Sequence, residues 1–278
     1  MSNNQSQVSQ HHHGKALQLF LREELNLSSR QAKSLLDRRT VFVNGKRVWM
    51  AKHLLKKGDI IEWPTQVKTK NSGKQELPIL YKDGYILAVN KPAGLVSDRD
   101  KRSVENLLRT QENHSSIRAL HRLDKETSGV LLFLRTSEHR EAYLNLFRNK
   151  EIQKFYQTLL VGTLEREHVT IRKAIDTKQT ETHFRVLKRK GPFSKVECEI
   201  GTGRTHQIRR HALELGCRVA GDTKYGQFIP ISDVEKTLSR QMLHAFSVEF
   251  ICPLQKKKIK IHAPLPPEFQ KASKRMGL

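Results

Sequence analysis

His121-Arg122-Leu123-Asp124-Lys125-Glu126-Thr127-Ser128-Gly129 is followed at once by Val130-Leu131-Leu132-Phe133-Leu134. A short apolar run bounded by charge predicts a buried strand. The charged residues before it then form a loop at the strand's mouth, positioned by a core that does not cover them. One carboxylate stands between two bases there: Asp124 has Arg122 two residues before it and Lys125 directly after it. A positioned carboxylate can act as nucleophile, general base or electrostatic stabiliser. The same residues would also make an ordinary turn, with Asp124 and Thr127 bonding local backbone and Gly129 supplying a left-handed position.

Working outward, strand signals dominate from Pro78 onward. Ile79-Leu80-Tyr81 and Ile86-Leu87-Ala88-Val89 flank the turn Lys82-Asp83-Gly84. Ser137 is placed to cap a helix that buries Ala142, Tyr143, Leu146 and Phe147, and Lys154 to Val161 reads as a strand. Val196, Cys198 and Ile200 alternate with Lys195, Glu197 and Glu199, the pattern of a half-exposed strand. That strand ends at Gly201-Thr202-Gly203-Arg204-Thr205, where a helix begins and runs to about Leu215, with Gly216 as its stop. Strands beside strands with few βαβ alternations predict an α+β fold with a mostly antiparallel mixed sheet, flanked by helices and loops. No internal repeat is present.

Toward the N-terminus, residues 1–14 are polar and are read as a disordered tail. Leu17, Phe20 and Leu21 predict a short amphipathic helix. A second helix follows, capped by Ser28 or Ser29, with Ala32, Leu35 and Leu36 inward and Arg30 and Lys33 outward. Arg38 and Arg39 close it, where cations suit the helix's negative end. Val41 and Val43 alternate, and Asn44-Gly45 is a strong hairpin signal leading to Lys46-Arg47-Val48. Residues 15–63 therefore form a small α+β module. Between residues 1 and 63 stand 11 Lys/Arg and 5 Asp/Glu, a balance of +6. Residues 64–77 read as a flexible linker, which leaves 78–278 as the main domain.

The 278 residues hold 51 Lys+Arg against 28 Asp+Glu, a formal net charge of +23. A field of that sign gathers polyanions and gives salt-dependent affinity for phosphate backbones. No apolar run reaches the length of a membrane span and no signal-peptide pattern is seen, so a cytoplasmic protein without a membrane partner is expected. Cys198, Cys217 and Cys252 are far apart, which argues against a disulfide framework or a structural zinc site. His11-His12-His13 in a polar tail reads as a disordered tract or an expression remnant, so no metal is expected.

The quoted loop resembles the HRLD-x-x-TSG signature of the RluA-type pseudouridine synthases. Asn90-Lys91-Pro92-Ala93-Gly94 is similar to that family's NKPAG loop, and Gly203-Arg204-Thr205-His206-Gln207-Ile208-Arg209 to its GRTHQIR motif. Gly221-Asp222 with Tyr225-Gly226, Leu243-His244-Ala245 and Ala263-Pro264-Leu265-Pro266 complete the set in order, from Pro78 to about Phe269. Arg210 departs from the family's usual aliphatic residue, and Phe133-Leu134-Arg135 is bulkier than usual. Lys15 to Trp63, through Ser29 to Lys33, Val41 to Gly45 and Lys56 to Ile61, resembles the small RNA-binding domain of ribosomal protein S-four.

The resemblance implies that the chain isomerises uridine to pseudouridine in structured RNA, with large-subunit ribosomal RNA favoured over transfer RNA. It implies Asp124 as catalytic nucleophile and Tyr156 stacked on the target base. Arg204 would pair with Asp124, and Arg122 would fill the place of the extruded base. Arg30, Lys33, Arg38, Arg39, Lys46 and Arg47 become candidates for phosphate contact. His121 and His206 are read as structural rather than as general acids. The reaction oxidises nothing and loses no group, so no cofactor is expected, and no obligate partner other than RNA is implied; a monomer is expected. Two alternatives keep other classes open: a non-catalytic RNA-binding or ribosome-assembly factor, and a nucleosidase or glycosidase, which lacks a second carboxylate in a motif.

Overall fold

The computed structural model describes residues 3–25, 27–37, 39–64, 76–226 and 231–278. They fall into two compact units, 1–75 and 76–278.

The first unit contains β1 (Asn3–Gln7), α1 (Leu17–Glu24), α2 (Ser29–Asp37), β2 (Phe42–Val43), β3 (Lys46–Arg47) and β4 (Ile60–Pro64). Its antiparallel sheet has the order β1-β4-β2-β3. Leu17, Phe20 and Leu21 of α1 meet Ala32, Leu35 and Leu36 of α2, with Val41, Val43, Ile61 and Trp63, in one core. Ser28 caps α2: its Oγ accepts the Gln31 N–H at 3.3 Å, while its own N–H donates to Gln31 Oε1 at 2.9 Å. Asn44 and Gly45 both have left-handed φ, 51° and 73°, as the tight hairpin turn requires.

Two boundaries differ from expectation. Of the expected tail 1–14, the described residues 3–14 are not structureless: β1 pairs with β4 from Asn3↔Pro64 to Gln7↔Ile60, and Val8 is buried. The pairing is made by backbone groups, so polar side chains do not forbid it. Of the expected linker, 65–75 lie outside the described residues. Its ends are structured, since Pro64 closes β4 and buried Leu77 donates its N–H to Gln111 Oε1 at 2.7 Å.

The second unit runs β5 (Ile79–Lys82), β6 (Ile86–Lys91), α3 (Val104–Gln111), β7 (Arg118–Ala119), β8 (Ser128–Leu134), α4 (Arg140–Arg148), β9 (Gln153–Val161), β10 (His168–Arg172), β11 (Glu181–Lys190), β12 (Phe193–Ile200), α5 (Gln207–Glu214), β13 (Arg218–Val219), α6 (Asp233–Lys236), β14 (Leu243–Ile251), β15 (Lys258–His262) and α7 (Pro267–Arg275). All eleven strands join one sheet, with the main path β10-β11-β12-β9-β14-β8-β6-β5. Every pairing is antiparallel except β14 with β8, at His244↔Ser128 and Ala245↔Gly129. The expected α+β class with a mostly antiparallel mixed sheet is what the chain adopts.

Strand β8, which follows the Asp124 loop, lies at the centre and is buried along its whole length. Leu131 and Phe133 join Leu87, Val89 and residues of α3 and α5 in one core, while Val130, Leu132 and Leu134 join Ile86, Ala88 and α4 in another. Burial on both faces explains a run without alternation. Gly129 sits where β8 meets β14, at φ +115°, and a Cβ there would stand 2.1 Å from the Ala245 carbonyl oxygen. Only glycine allows the approach. Helix α4 starts at Arg140 rather than beside Ser137, and α5 at Gln207 rather than Thr205, because His206 takes a left-handed φ of 57°.

Candidate active site

The loop before β8 is clamped by its main chain from both flanks. Strand β6 ends at Lys91, which is fully buried; its Nζ donates to the carbonyls of Pro92 (3.0 Å), Lys125 (3.0 Å) and Thr127 (2.7 Å). Three acceptors match the three N–H bonds of an ammonium, while burial pushes the amine down to about 7. Gly94 donates its N–H to the Lys125 carbonyl at 2.8 Å, and the Ser97 hydroxyl accepts the Leu123 N–H and donates to the Leu123 carbonyl, both at 3.0 Å. On the other flank Gln241 Nε2 donates to Thr127 Oγ1 at 2.8 Å and Arg240 Nη1 to the Glu126 carbonyl at 3.1 Å.

Asp124 emerges from this clamp a quarter exposed. Its Oδ2 accepts from Arg209 Nη1 at 3.0 Å, and its Oδ1 lies 3.7 Å from His206 Nε2. Arg209, in the first turn of α5, donates from Nε and Nη2 to Asp222 at 2.6 and 2.8 Å. Asp222 is almost wholly buried and also accepts the N–H groups of Lys224 and Tyr225 at 2.9 and 3.2 Å. Burial opposes its charge, but the Arg209 bonds prevail and hold its carboxyl below the ordinary value. The guanidinium lies 4.9 Å from the centre of the Tyr225 ring, and the Tyr225 hydroxyl meets His206 Nδ1 at 2.8 Å. Burial holds the His206 imidazole below its ordinary value in spite of Asp124 nearby. One Asp124 oxygen is thus fixed by a bidentate-anchored arginine, and the other makes no hydrogen bond among the described residues. An oriented oxygen with an open side suits nucleophilic attack.

That side faces a small pocket. Asp124, Arg122, Tyr156, Arg204 and His206 line it together with Leu123, Ile200 and Leu243. Tyr156 rises from β9 and is buried; burial and then the Asp124 charge hold its phenol protonated well above the ordinary value. Arg122 stands at the mouth, its side chain 64% exposed and its Nε 2.9 Å from Asp98. Beside the pocket, Lys154 Nζ donates to the Thr202 carbonyl at 3.1 Å, and its amine is pushed down to about 8 by burial and then by Arg204.

The structure therefore brings Arg122, Asp124, Tyr156 and Arg204 to one pocket but changes one pairing. Arg209, not Arg204, binds Asp124. Arg204 is exposed in the turn before α5 and donates its backbone N–H to Gln207 Oε1 at 3.2 Å, whereas Arg209 projects from the helix. Arg209, Asp222 and Lys91 stand in the quoted motifs, yet their roles depend on contacts across 85, 13 and 34 to 36 residues of chain. The i, i+3 spacing of His206 and Arg209 is the one local signal that both can face the same loop. His121 lies outside the pocket lining: its Nε2 accepts the Leu132 N–H at 3.1 Å, and burial pushes it down to about 3, so it anchors the loop as a neutral ring. Arg210 makes an exposed ion pair with Asp176 at 2.9 Å.

In the first unit Lys33, Arg39, Lys46 and Arg47 are exposed. The Arg39 guanidinium lies 5.0 Å from the Trp49 ring and that of Arg47 lies 5.5 Å from Phe42. Arg38 and the side chain of Arg30 lie outside the described residues.

The mostly antiparallel mixed sheet presents one oriented aspartate beside a buried tyrosine, and comparison with known proteins identifies the family. Residues 85–214 match the family described as RNA pseudouridylate synthase. The chain is 31% identical to "Ribosomal large subunit pseudouridine synthase C" of Vibrio cholerae, across 95% of this chain and 93% of that one. It is 30% identical to "Uncharacterized RNA pseudouridine synthase YhcT" of Bacillus subtilis, across 95% and 94%. Among solved structures, "Human RNA Pseudouridylate Synthase Domain Containing 1" superposes with a TM-score of 0.60 at 27% identity, covering 73% of this chain and 90% of that one. The chain belongs to the RNA pseudouridine synthase family and is an isomerase that forms pseudouridine in RNA. That excludes the non-catalytic and glycosidase alternatives. No helix among the described residues is long and apolar enough to cross a membrane.

Proposed function

We propose that the chain isomerises uridines of large-subunit ribosomal RNA, with Asp124 as nucleophile. The observation that carries the catalytic assignment is the Asp124–Arg209–Asp222 chain, which leaves one oriented carboxylate oxygen open to the pocket. The substrate assignment rests on the relatives named for synthases C and D of the large ribosomal subunit.

In the reaction the bond from sugar C1′ to base N1 breaks, the base turns, C1′ bonds to C5, and the C5 proton is lost as N1 gains one. Nothing is oxidised, so no cofactor is needed. Asp124 holds either the sugar or the base during the exchange, and Tyr156 stacks on the base and limits its escape. Exposed Arg204 sets positive charge at the pocket, suited to the phosphates that flank an extruded nucleotide. Arg122, exposed at the pocket mouth, takes the position that the base vacates when it is flipped out of the helix. Residues 15–63 act as an RNA-binding domain like that of ribosomal protein S-four, through Arg30, Lys33, Arg38, Arg39, Lys46 and Arg47. The protein works as a cytoplasmic monomer.

Because C5 loses its proton, RNA carrying tritium at uridine C5 reports the reaction as label released to water. Release from a large-subunit ribosomal transcript, with none from transfer RNA, is expected. Release from transfer RNA alone overturns the substrate.

A further inference from the structure

We propose that His11, His12 and Glu23 form a divalent-metal site, suited to zinc, that pins the turn after β1 to α1. His11 and His12 lie in a 3₁₀ turn over Gln10–His12, and Glu23 lies in the last turn of α1. His12 Nε2 is 2.9 Å and His11 Nε2 3.6 Å from the same Glu23 oxygen. All three ligand atoms lie within 4.8 Å of one another, the one such group among the described residues. Ligands about 2.0–2.1 Å from a tetrahedral zinc stand roughly 3.4 Å apart, so the His11–Glu23 edge already fits, while the His12–Glu23 edge opens slightly and the His11–His12 edge adjusts by side-chain rotation.

Further contacts hold both rings and the carboxylate at the cluster. His12 packs edge-on against buried Phe20, ring centres 5.0 Å apart, and its Nδ1 lies 3.4 Å from the Ser9 hydroxyl. Ligating histidines are held through their other nitrogen in this way. Lys15 Nζ lies 2.8 Å from His11 Nε2 and 3.8 Å from the Glu23 carboxylate. An ammonium only donates, so His11 Nε2 presents its lone pair toward the centre of the cluster, where a cation already stands. A metal replaces that ammonium, and Lys15 swings away on its flexible stem. The Nε2 proton that His12 gives Glu23 moves to Nδ1, facing Ser9, so the exchange needs no net proton loss. The His11 side chain is 71% exposed, which leaves a fourth position for water. The site would fasten to the helix a segment that is otherwise joined mainly through backbone bonds.

The test is calorimetric titration of the full chain with zinc chloride. One zinc per chain is expected, with affinity reduced at least tenfold in His12→Gln and in Glu23→Gln, consistent with the roughly 10- to 100-fold cost of disturbing even an outer-shell partner. Lys15→Gln should tighten binding, since the competing ammonium is gone. His13→Asn should leave it unchanged, because the Asn oxygen can still accept the Lys57 N–H that His13 Nδ1 takes at 3.2 Å. Glu23 is exposed, so its variant folds and decides the matter. Absence of binding overturns the proposal. So does affinity that falls equally for His12 and His13 variants and ignores Glu23, which would mean loose chelation by the histidine tract.

Discussion

Asp124 depends on Arg209, and Arg209 on Asp222. Removing one member of a buried ion pair leaves the other uncompensated, at a cost of about 3–5 kcal/mol. Asp222→Asn, which turns one accepting arm of the bidentate pair into an N–H donor and removes the charge, should lower stability in urea by a sizeable part of that and reduce turnover by freeing Arg209. Arg204→Ala should leave stability unchanged, because its guanidinium has no carboxylate partner among the described residues, and should act on RNA affinity instead. Equal stability losses in the two variants would contradict the anchoring of Arg209 by Asp222. The sequence singles out Asp124 because it stands in a contiguous motif that resembles a family signature; the local pattern alone would also fit an ordinary turn. It cannot choose between Arg204 and Arg209, which share a motif. That choice is made by the left-handed conformation of His206, which delays the start of α5.

At the scale of elements, the parallel contact of β8 with β14 holds the site together. His244 is buried beside it: Nε2 donates to the Ala263 carbonyl at 3.2 Å, and Nδ1 meets the Ser128 hydroxyl at 2.9 Å. Burial pushes the ring down to about 4. The unfolded chain therefore takes up its proton first as pH falls. The contribution is present above about pH 6.5, is lost progressively toward pH 4 and is level below that, falling by about 1.4 kcal/mol for each pH step within that window. Denaturant midpoints measured from pH 7 to pH 4 should fall, and His244→Asn should flatten the slope; an unchanged slope would count against a neutral buried ring. Gly129→Ala should destabilise the fold strongly, since the added carbon meets backbone rather than a movable side chain. β8 and β12 are legible in sequence because burial writes itself as hydrophobicity with period one or two. β1 is not, because an edge strand of Asn, Gln and Ser is specified by its partner β4 and not by its own side chains.

At the scale of the molecule, the charge of +23 is shared by two units with separate cores. Affinity for RNA should fall steeply with salt. Replacing Lys33, Lys46 and Arg47 together by Ala should reduce the slope of log affinity against log salt by about 0.7–0.9 for each phosphate that is no longer neutralised. Stability should change little, because all three side chains are exposed and only the Arg47 contact with Phe42 is lost. An unchanged slope would remove the first unit from the RNA interface. The boundary between the units is visible in sequence as a change of composition, whereas the order of strands within the larger sheet is not, since pairing between distant segments leaves no local mark.

The chain makes pseudouridine, and the proposal that it does so in large-subunit ribosomal RNA through Asp124 has one most direct test. That test is a site-by-site pseudouridine map of ribosomal and transfer RNA from cells lacking the protein, and from the same cells given the intact protein or Asp124→Ala. One or a few large-subunit sites should be lost, then restored by the intact protein and not by the variant, which should still bind RNA. Restoration by Asp124→Ala, or an unchanged ribosomal map, would contradict the proposal.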